Sequence, residues 1–370
     1  MKSFKIYLQY LWKFPDSAYY KYLVTHPPKG VDYVNVEKEK FKIITSAKQF
    51  KFMVSIKDSI RKVLEIVKIP NITHTKGKNI DLIHCAHCLS SNKMPWVVDT
   101  EHYWNFAATG NIAYSKKGKK IIKKFLKSQY CKKILPWTKA AKETIIKTLR
   151  DKEIERKIEI IYPAVPIPKI KKLKHKGTNL LFVGRYFYQK GGLETLKVFD
   201  ILTKKYNNVH ALFVSEVPEK ILKRYKNKKI NFFGLMSQKK LFKEIIPKVD
   251  IFVYPGYSDT FGFALTEIMG FGMPIVTVDG FARKEIIQDG KNGFVVKRPK
   301  ITWKKNIPII NKKQEKEMIR QLVKKLSLLI ENKKLRQRMG KEGVKLIKEG
   351  RFSIKERNRR LRRIYEEVLR

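Results

Sequence analysis

"DIFVYPGYSDTFGFALTEIMGFGMPIV" (250–276) opens as an unbroken apolar run and breaks at Pro255-Gly256. It then resumes with apolar residues at helical spacing until Gly270 and Gly272 stop it. An apolar run without alternation predicts a strand buried on both faces, as in a parallel sheet, and the stop at glycines predicts a short helix returning to the next strand, "PIV". Two acids lie in this strand–turn–helix unit, Asp259 in the turn and Glu267 more than one turn into the helix, so they need not share a helical face. Gly262, near the helix start, lets backbone N–H groups approach an anion where the helix dipole also favours negative charge.

The same pattern extends outward. "NLLFVG" (179–184) reads as a buried strand ending at Gly184, followed by a helix whose Leu193, Leu196, Phe199 and Leu202 recur at helical spacing. "NVHALFVS", "INFFG", "PIVTVDG" and "GFVVK" continue the alternation, which predicts a doubly wound domain. In the first half, "KIYLQYLW", "YVNV", "FKIITS", "DLIHCA", "PWVVDT", "KKILPW" and "IEIIYP" are candidate strands, with helices expected over 47–68, 116–130 and 138–150. Three prolines and no acid make 162–179 a linker. The expected architecture is α/β: two Rossmann-like doubly wound domains, 1–170 and 171–350, facing across a cleft. A last helix at about 351–370 is expected to pack back on the first domain. Ligands of such sheets sit beyond the carboxyl ends of the strands.

In "FVGRYFYQKGG" the first strand of the second domain ends at Gly184, where a Cβ would obstruct the turn. Arg185 and Lys190 follow on one loop, and a guanidinium with an ammonium can neutralise two phosphates from different directions. Joined to Asp259 and Glu267 across the strand ends, these residues describe an anion site flanked by hydrogen-bond acceptors. A sugar nucleotide has that shape, with hydroxyls at both ends and a diphosphate between.

"VGR…KGG", "YPGYSDTFGFALTEIMGFGMPIV" and "KEIIQDGKNGFVV" together resemble the donor-binding domain of glycosyltransferase family 4, retaining enzymes of the GT-B fold. That family's pattern is E-x7-E with F-G after the first acid; Asp259 stands here in place of the first Glu, and Phe261, Gly262, Glu267, Gly272, Pro274 and Val276 fill the rest. The resemblance implies transfer of a sugar from a nucleoside-diphosphate sugar to a hydroxyl acceptor. Arg185 and Lys190 would hold the diphosphate, Glu267 the ribose hydroxyls and Asp259 the donor sugar, with backbone donors from Phe261 and Gly262. It implies no cofactor and no metal ion, because fixed cations do the work of a divalent ion.

On the acceptor side, "PWVVDTEHYW" (95–104) ends a strand with Glu101 and His102, where the family often has a histidine facing the cleft; either residue would bind the donor sugar or assist the acceptor hydroxyl. "HCAHC" (84–88) has C-x2-C spacing, but four adjacent ligands on one strand cannot surround a tetrahedral ion. Cys85 and Cys88 are therefore read as buried thiols beside one cleft-facing histidine.

Composition sets the partners. Lys plus Arg total 82 against 33 Asp plus Glu, a net charge of +49, which favours an anionic partner and says nothing of fold. No apolar run reaches the roughly 20 residues of a membrane span, and Lys5 and Lys13 interrupt the opening, so no signal peptide is read. A cytoplasmic protein, peripheral at the inner face of the cell membrane, is expected. "KKGKKIIKKFLKSQYCKK" (116–133) carries nine lysines and no acid. Its stripe of Ile121, Ile122, Phe125 and Leu126 is expected to pack inward while the lysine rim, Lys116 to Lys133, meets an anionic membrane surface. A lipid-linked or glycan acceptor would suit that placement. Two other readings stay open. A nucleic-acid-binding protein is motivated by charge alone, without a zinc finger, recognition helix or aromatic RNA-binding motif, and nucleic acid is not expected as a partner. A GT-B nucleotide-sugar-binding protein impaired in turnover is motivated by Asp259.

Overall fold

The computed structural model describes residues 3–10, 17–36, 61, 63–225 and 227–370. The chain divides into two compact units, Met1–Ala164 with Arg351–Arg370, and Val165–Gly350.

The first unit is built on a five-stranded parallel sheet of β1 (Phe4–Tyr10), β2 (Val31–Tyr33), β4 (Leu82–Ala86), β6 (Trp96–Thr100) and β7 (Cys131–Pro136), in the order β2-β1-β4-β6-β7. Two short strands, β3 (Ile72–Thr73) and β5 (Leu89–Ser90), pair beside it. β4 and β6 are buried along their whole length, as strands covered on both faces must be. Helices Lys116–Lys127 and Lys139–Leu149 form where helical spacing predicts them, each capped by a hydroxyl, Ser115 and Thr138. "FKIITS" and residues 47–60 of the expected 47–68 helix lie outside the described residues. "IEIIYP" forms no strand. Its backbone follows the open edge of β7 through Ile134 N to Lys157 O (2.9 Å), Glu159 N to Ile134 O (2.9 Å) and Ile161 N to Pro136 O (3.1 Å), and Pro163, without an N–H, ends the pairing before a ladder is established.

Residues 354–368 return to this unit as the helix Ile354–Val368. Its Arg357, 1% exposed, donates to the carbonyls of Tyr22 (3.2 Å) and His26 (2.6 Å).

The second unit carries a six-stranded parallel sheet of β8 (Thr178–Val183), β9 (Val209–Val214), β10 (Ile230–Phe233), β11 (Ile251–Tyr254), β12 (Ile275–Val278) and β13 (Gly293–Val296), in the order β10-β9-β8-β11-β12-β13. Counted from its first strand that order is 3-2-1-4-5-6, the doubly wound dinucleotide-binding arrangement. Leu180, Leu181 and Phe182 of β8 and Ile251, Phe252 and Val253 of β11 are fully buried, each such side chain contributing about 1.5–3 kcal/mol. The helix Gly192–Lys205 lays Leu196, Phe199 and Leu202 against the core, with Leu193 at its margin.

Candidate active site

The strand order of the second unit reverses between β8 and β11, so the loops leaving their carboxyl ends diverge and open space at that point. Gly184, first residue beyond β8, donates its N–H to Val214 O (3.0 Å) and accepts from Ser215 Oγ (2.6 Å). A Cβ there would lie 2.8 Å from the Phe182 ring and 2.9 Å from Lys190 Cβ, so glycine lets the loop fold back over the strand end. The loop closes at Gly191, whose φ of 75° caps the helix Gly192–Lys205. Gly256 N donates to Lys190 O (3.0 Å), which ties the β8 and β11 connections together.

Across that tie, Lys190 Nζ forms an ion pair with Asp259 Oδ1, and the Tyr254 hydroxyl donates to Asp259 Oδ2. Arg283 Nη2 lies 3.7 Å from the same Oδ2. Burial pushes the Asp259 carboxyl up, but Lys190 and Arg283, with the hydrogen bonds from Lys190 and Tyr254, outweigh burial and hold it below its ordinary value. The Tyr254 hydroxyl is pushed well above its usual range, by burial and then by the Asp259 charge.

Arg283 is 1% exposed and donates to Gly256 O (2.7 Å) and Phe261 O (3.1 Å). It thereby holds both ends of the 256–261 turn in place. Gly262 follows with φ of 84°, and a Cβ there would stand 3.0 Å from Arg283 Nη1. Phe261 is buried, its ring 4.9 Å from that of Phe263. The helix Phe263–Met269 then carries Glu267, half-buried, which accepts from Gln238 Nε2 (2.7 Å). Arg185 is half-buried at the start of the β8 loop. Lys190 and Asp259 are thus brought into contact, while Arg185, Gly184, Phe261, Gly262 and Glu267 stand on the same two connections. Tyr254, Arg283 and Gln238 went unread in the sequence. Arg283 sits in "DGFARKE", indistinguishable there from a solvated cation.

In the first unit, Asp99 at the end of β6 accepts from the Tyr20 hydroxyl (2.6 Å) on Oδ1 and lies 3.0 Å from His84 Nε2 on Oδ2. His84 Nδ1 is 2.7 Å from the Tyr365 hydroxyl, itself 3.1 Å from that of Tyr33. His87, in the left-handed region at φ 55°, turns outward with Nδ1 3.6 Å from Asp99 and Nε2 3.5 Å from Glu101 Oε1. Burial opposes its charge, yet the Glu101 hydrogen bond and the Asp99 and Glu101 charges raise its pKa above the usual 6.5. His102 is placed differently. It accepts from Trp104 N (3.4 Å) and stacks on the Trp104 ring at 3.6 Å, and burial pushes its pKa down to about 4, against the pull of Glu101. His102 is therefore a neutral imidazole, and the histidine facing Glu101 is His87. Cys85 and Cys88 are buried thiols donating to Gln9 Oε1 (3.3 Å) and Gln9 O (3.4 Å). Among the described residues no cluster of three or more metal-ligating side chains forms.

On the helix Lys116–Lys127, Ile122 and Leu126 are buried and Ile121 and Phe125 half-buried. Two of its lysines are neutralised within the unit, Lys123 by Asp151 (2.9 Å) and Lys127 by Glu153 (3.0 Å). Among the described residues no ion pair engages Lys116, Lys119, Lys120 or Lys124. No helix among the described residues is long and apolar enough to cross a membrane.

Two parallel sheets, one in the 3-2-1-4-5-6 order with a cation–carboxylate pair at its reversal, define a fold of the GT-B type. Residues 166–346 match the model of the family described as Glycosyl transferases group 1. The chain is 28% identical over 242 residues to an uncharacterized glycosyltransferase of Haemophilus influenzae, covering 64% of this chain and 60% of the relative. The curated relatives it matches are spanned over 60%, 42% and 45% of their own length, about half. Among solved structures, a glycosyltransferase from Rickettsia africae superposes with a TM-score of 0.65 at 14% identity, covering 100% of this chain and 99% of that one. HepE of Anabaena, crystallised with UDP and glucose, gives 0.63 at 12%, covering 98% and 99%. At such identities the likeness is one of fold.

Proposed function

We propose that this protein is a retaining glycosyltransferase that moves a hexosyl group from a nucleoside-diphosphate sugar to a hydroxyl acceptor. The observation that carries this is the meeting of Lys190 and Asp259 at the reversal point of the six-stranded sheet, inside the region that matches the Glycosyl transferases group 1 model. HepE, of the same fold, was crystallised with a nucleotide and a sugar.

In this reading Arg185 and Lys190 bind the diphosphate, with Gly184 allowing its close approach. Glu267 accepts from the ribose, and backbone at Phe261 and Gly262 supplies donors. Asp259 has both oxygens engaged. A diphosphate competes for Lys190 and draws it away, and Oδ1 is then offered to the donor sugar. The bond from the anomeric carbon to phosphate oxygen breaks and the bond to acceptor oxygen forms on the same face, the acceptor proton passing to the departing diphosphate. The two cations stabilise that leaving group without a metal ion or other cofactor. Glu101, paired with His87, and His102 are proposed to contact the donor sugar or the acceptor hydroxyl.

The acceptor is proposed to be lipid-linked or a growing glycan, met by a cytoplasmic enzyme peripheral at the inner face of the membrane through Lys116–Lys133. Calorimetric titration with a panel of nucleoside diphosphates and with duplex DNA tests the assignment. Binding of at least one diphosphate, lost in Arg185→Ala, is expected; tight duplex binding without nucleotide binding would overturn it.

A further inference from the structure

Between β13 and the helix Lys312–Glu331 the chain forms an antiparallel ribbon, β14 (Ile301–Lys304) with β15 (Ile307–Ile310), that joins neither sheet. Lys305 and Asn306 at its tip have φ of 46° and 64°, the left-handed pair that a two-residue hairpin turn of matching twist requires. The register sets Lys304 opposite Ile307, Trp303 opposite Pro308, and Thr302 opposite Ile309. Opposed residues share a face and successive residues alternate, so Trp303 and Ile309 stand on opposite faces.

Both faces are wet. Trp303, Ile307 and Ile309 are 46%, 42% and 49% exposed. A lone two-stranded ribbon is marginal in water, and a protein groove would cover one of its faces. A bilayer interface surrounds an inserted tip on every side, and tryptophan is the side chain that settles there. The charge fits as well. No acid occurs between Asp289 and Glu315, while Lys300, Lys304, Lys305, Lys312 and Lys313 are all exposed. Their stems can run along the apolar tip while the ammonium groups reach anionic headgroups. In a two-residue hairpin the pair next to the turn exchanges hydrogen bonds, and the following pair points its N–H and C=O outward. Pro308 occupies that second position and has no N–H to offer, which works against extension of the ribbon by a strand of a second copy.

We propose that this ribbon inserts its tip, with Trp303, Ile307 and Ile309, into the interface of an anionic bilayer. It is a second membrane contact, in the other unit from the helix Lys116–Lys127, and it does not depend on the transfer reaction. The test is vesicle sedimentation of the full chain with phosphatidylcholine alone and with phosphatidylcholine and phosphatidylglycerol in equal parts. Binding to the anionic vesicles is expected to exceed binding to the neutral ones, and to fall about tenfold in the double variant Trp303→Ser/Ile309→Ser. Both sites are exposed and outside the Lys116–Lys127 helix, so melting is expected to be unchanged. Brominated lipid is expected to quench wild-type fluorescence by an amount that Trp303→Phe removes. Equal binding of wild type and double variant, or quenching indifferent to Trp303→Phe, would overturn the proposal. So would self-association of the wild type without vesicles that the double variant abolishes, because a second copy would then cover the ribbon.

Discussion

Asp259 illustrates how one side chain can be held in several ways at once. Lys190 and Arg283 lower its pKa and Tyr254 donates to it, so it stays ionised through the neutral range. The stability it adds is present above the unfolded-state pKa and lost as pH falls through its depressed folded value. Arg283 bears more structural weight. Replacing it with methionine removes two hydrogen bonds to carbonyls and a cation beside Asp259, so Arg283→Met is expected to cost about 2–4 kcal/mol. Urea unfolding measures this, and a loss below about 0.5 kcal/mol would mean the turn is held otherwise. Glu194 is the contrasting carboxyl. It is 6% exposed, and burial, with repulsion from Glu315, lifts its pKa to about 7 against the pull of Lys197 and Tyr257. A raised acid contributes fully below the unfolded value near 4.5 and loses that contribution as pH rises through about 7. Glu194→Gln is therefore expected to gain on the order of 3 kcal/mol at about pH 8 and little at about pH 4, read from melting at both. An equal gain at both would show that the carboxyl is not titrating.

At the scale of elements, the helix Lys116–Lys127 separates packing from charge. Ile122 is fully buried and Lys124 exposed on the same helix. Ile122→Ala is expected to destabilise by about 2–5 kcal/mol, while Lys124→Ala changes stability by less than about 0.5 kcal/mol. Chemical denaturation of both variants distinguishes the roles, and comparable losses would mean that the lysine stem packs too. The helix was legible because its apolar residues recur at 3.6 spacing; the pairing of Lys123 and Lys127 with Asp151 and Glu153 was not, because those acids come from a turn and helix about 25 residues on. β8 and β11 were legible as unbroken apolar runs. "IEIIYP" has the same composition yet follows a sheet edge and stops at Pro163, since apolarity marks burial but proline decides whether a ladder can continue.

Over the whole molecule, the chain's last helix returns to its first unit. Tyr365 bridges His84 and Tyr33, which lie 281 and 332 residues away in sequence. Tyr365→Phe leaves buried His84 Nδ1 without that partner and is expected to cost about 1–3 kcal/mol. Such distant closure has no local signature, which is why Tyr20, the two histidines of "HCAHC" (His84 and His87) and Asp99 of "VVDTEHYW" read as separate residues. The donor-side site was more legible, because Gly184, Lys190 and Asp259 follow strand ends and strand ends of a doubly wound sheet converge. Its supports, Tyr254 and Arg283, were hidden by resembling a core residue and a surface cation.

The central claim is that Lys190 and Asp259 hold a sugar nucleotide for transfer. Its most direct test is diphosphate release from a panel of nucleotide sugars with metal chelated, in wild type, Lys190→Ala and Asp259→Asn. Release by the wild type from at least one donor, lowered about a hundredfold or more in Lys190→Ala and also lowered in Asp259→Asn, is the predicted result. Wild-type release equalled by Lys190→Ala, or a wild type that binds a nucleotide sugar and never releases diphosphate from it, would contradict it.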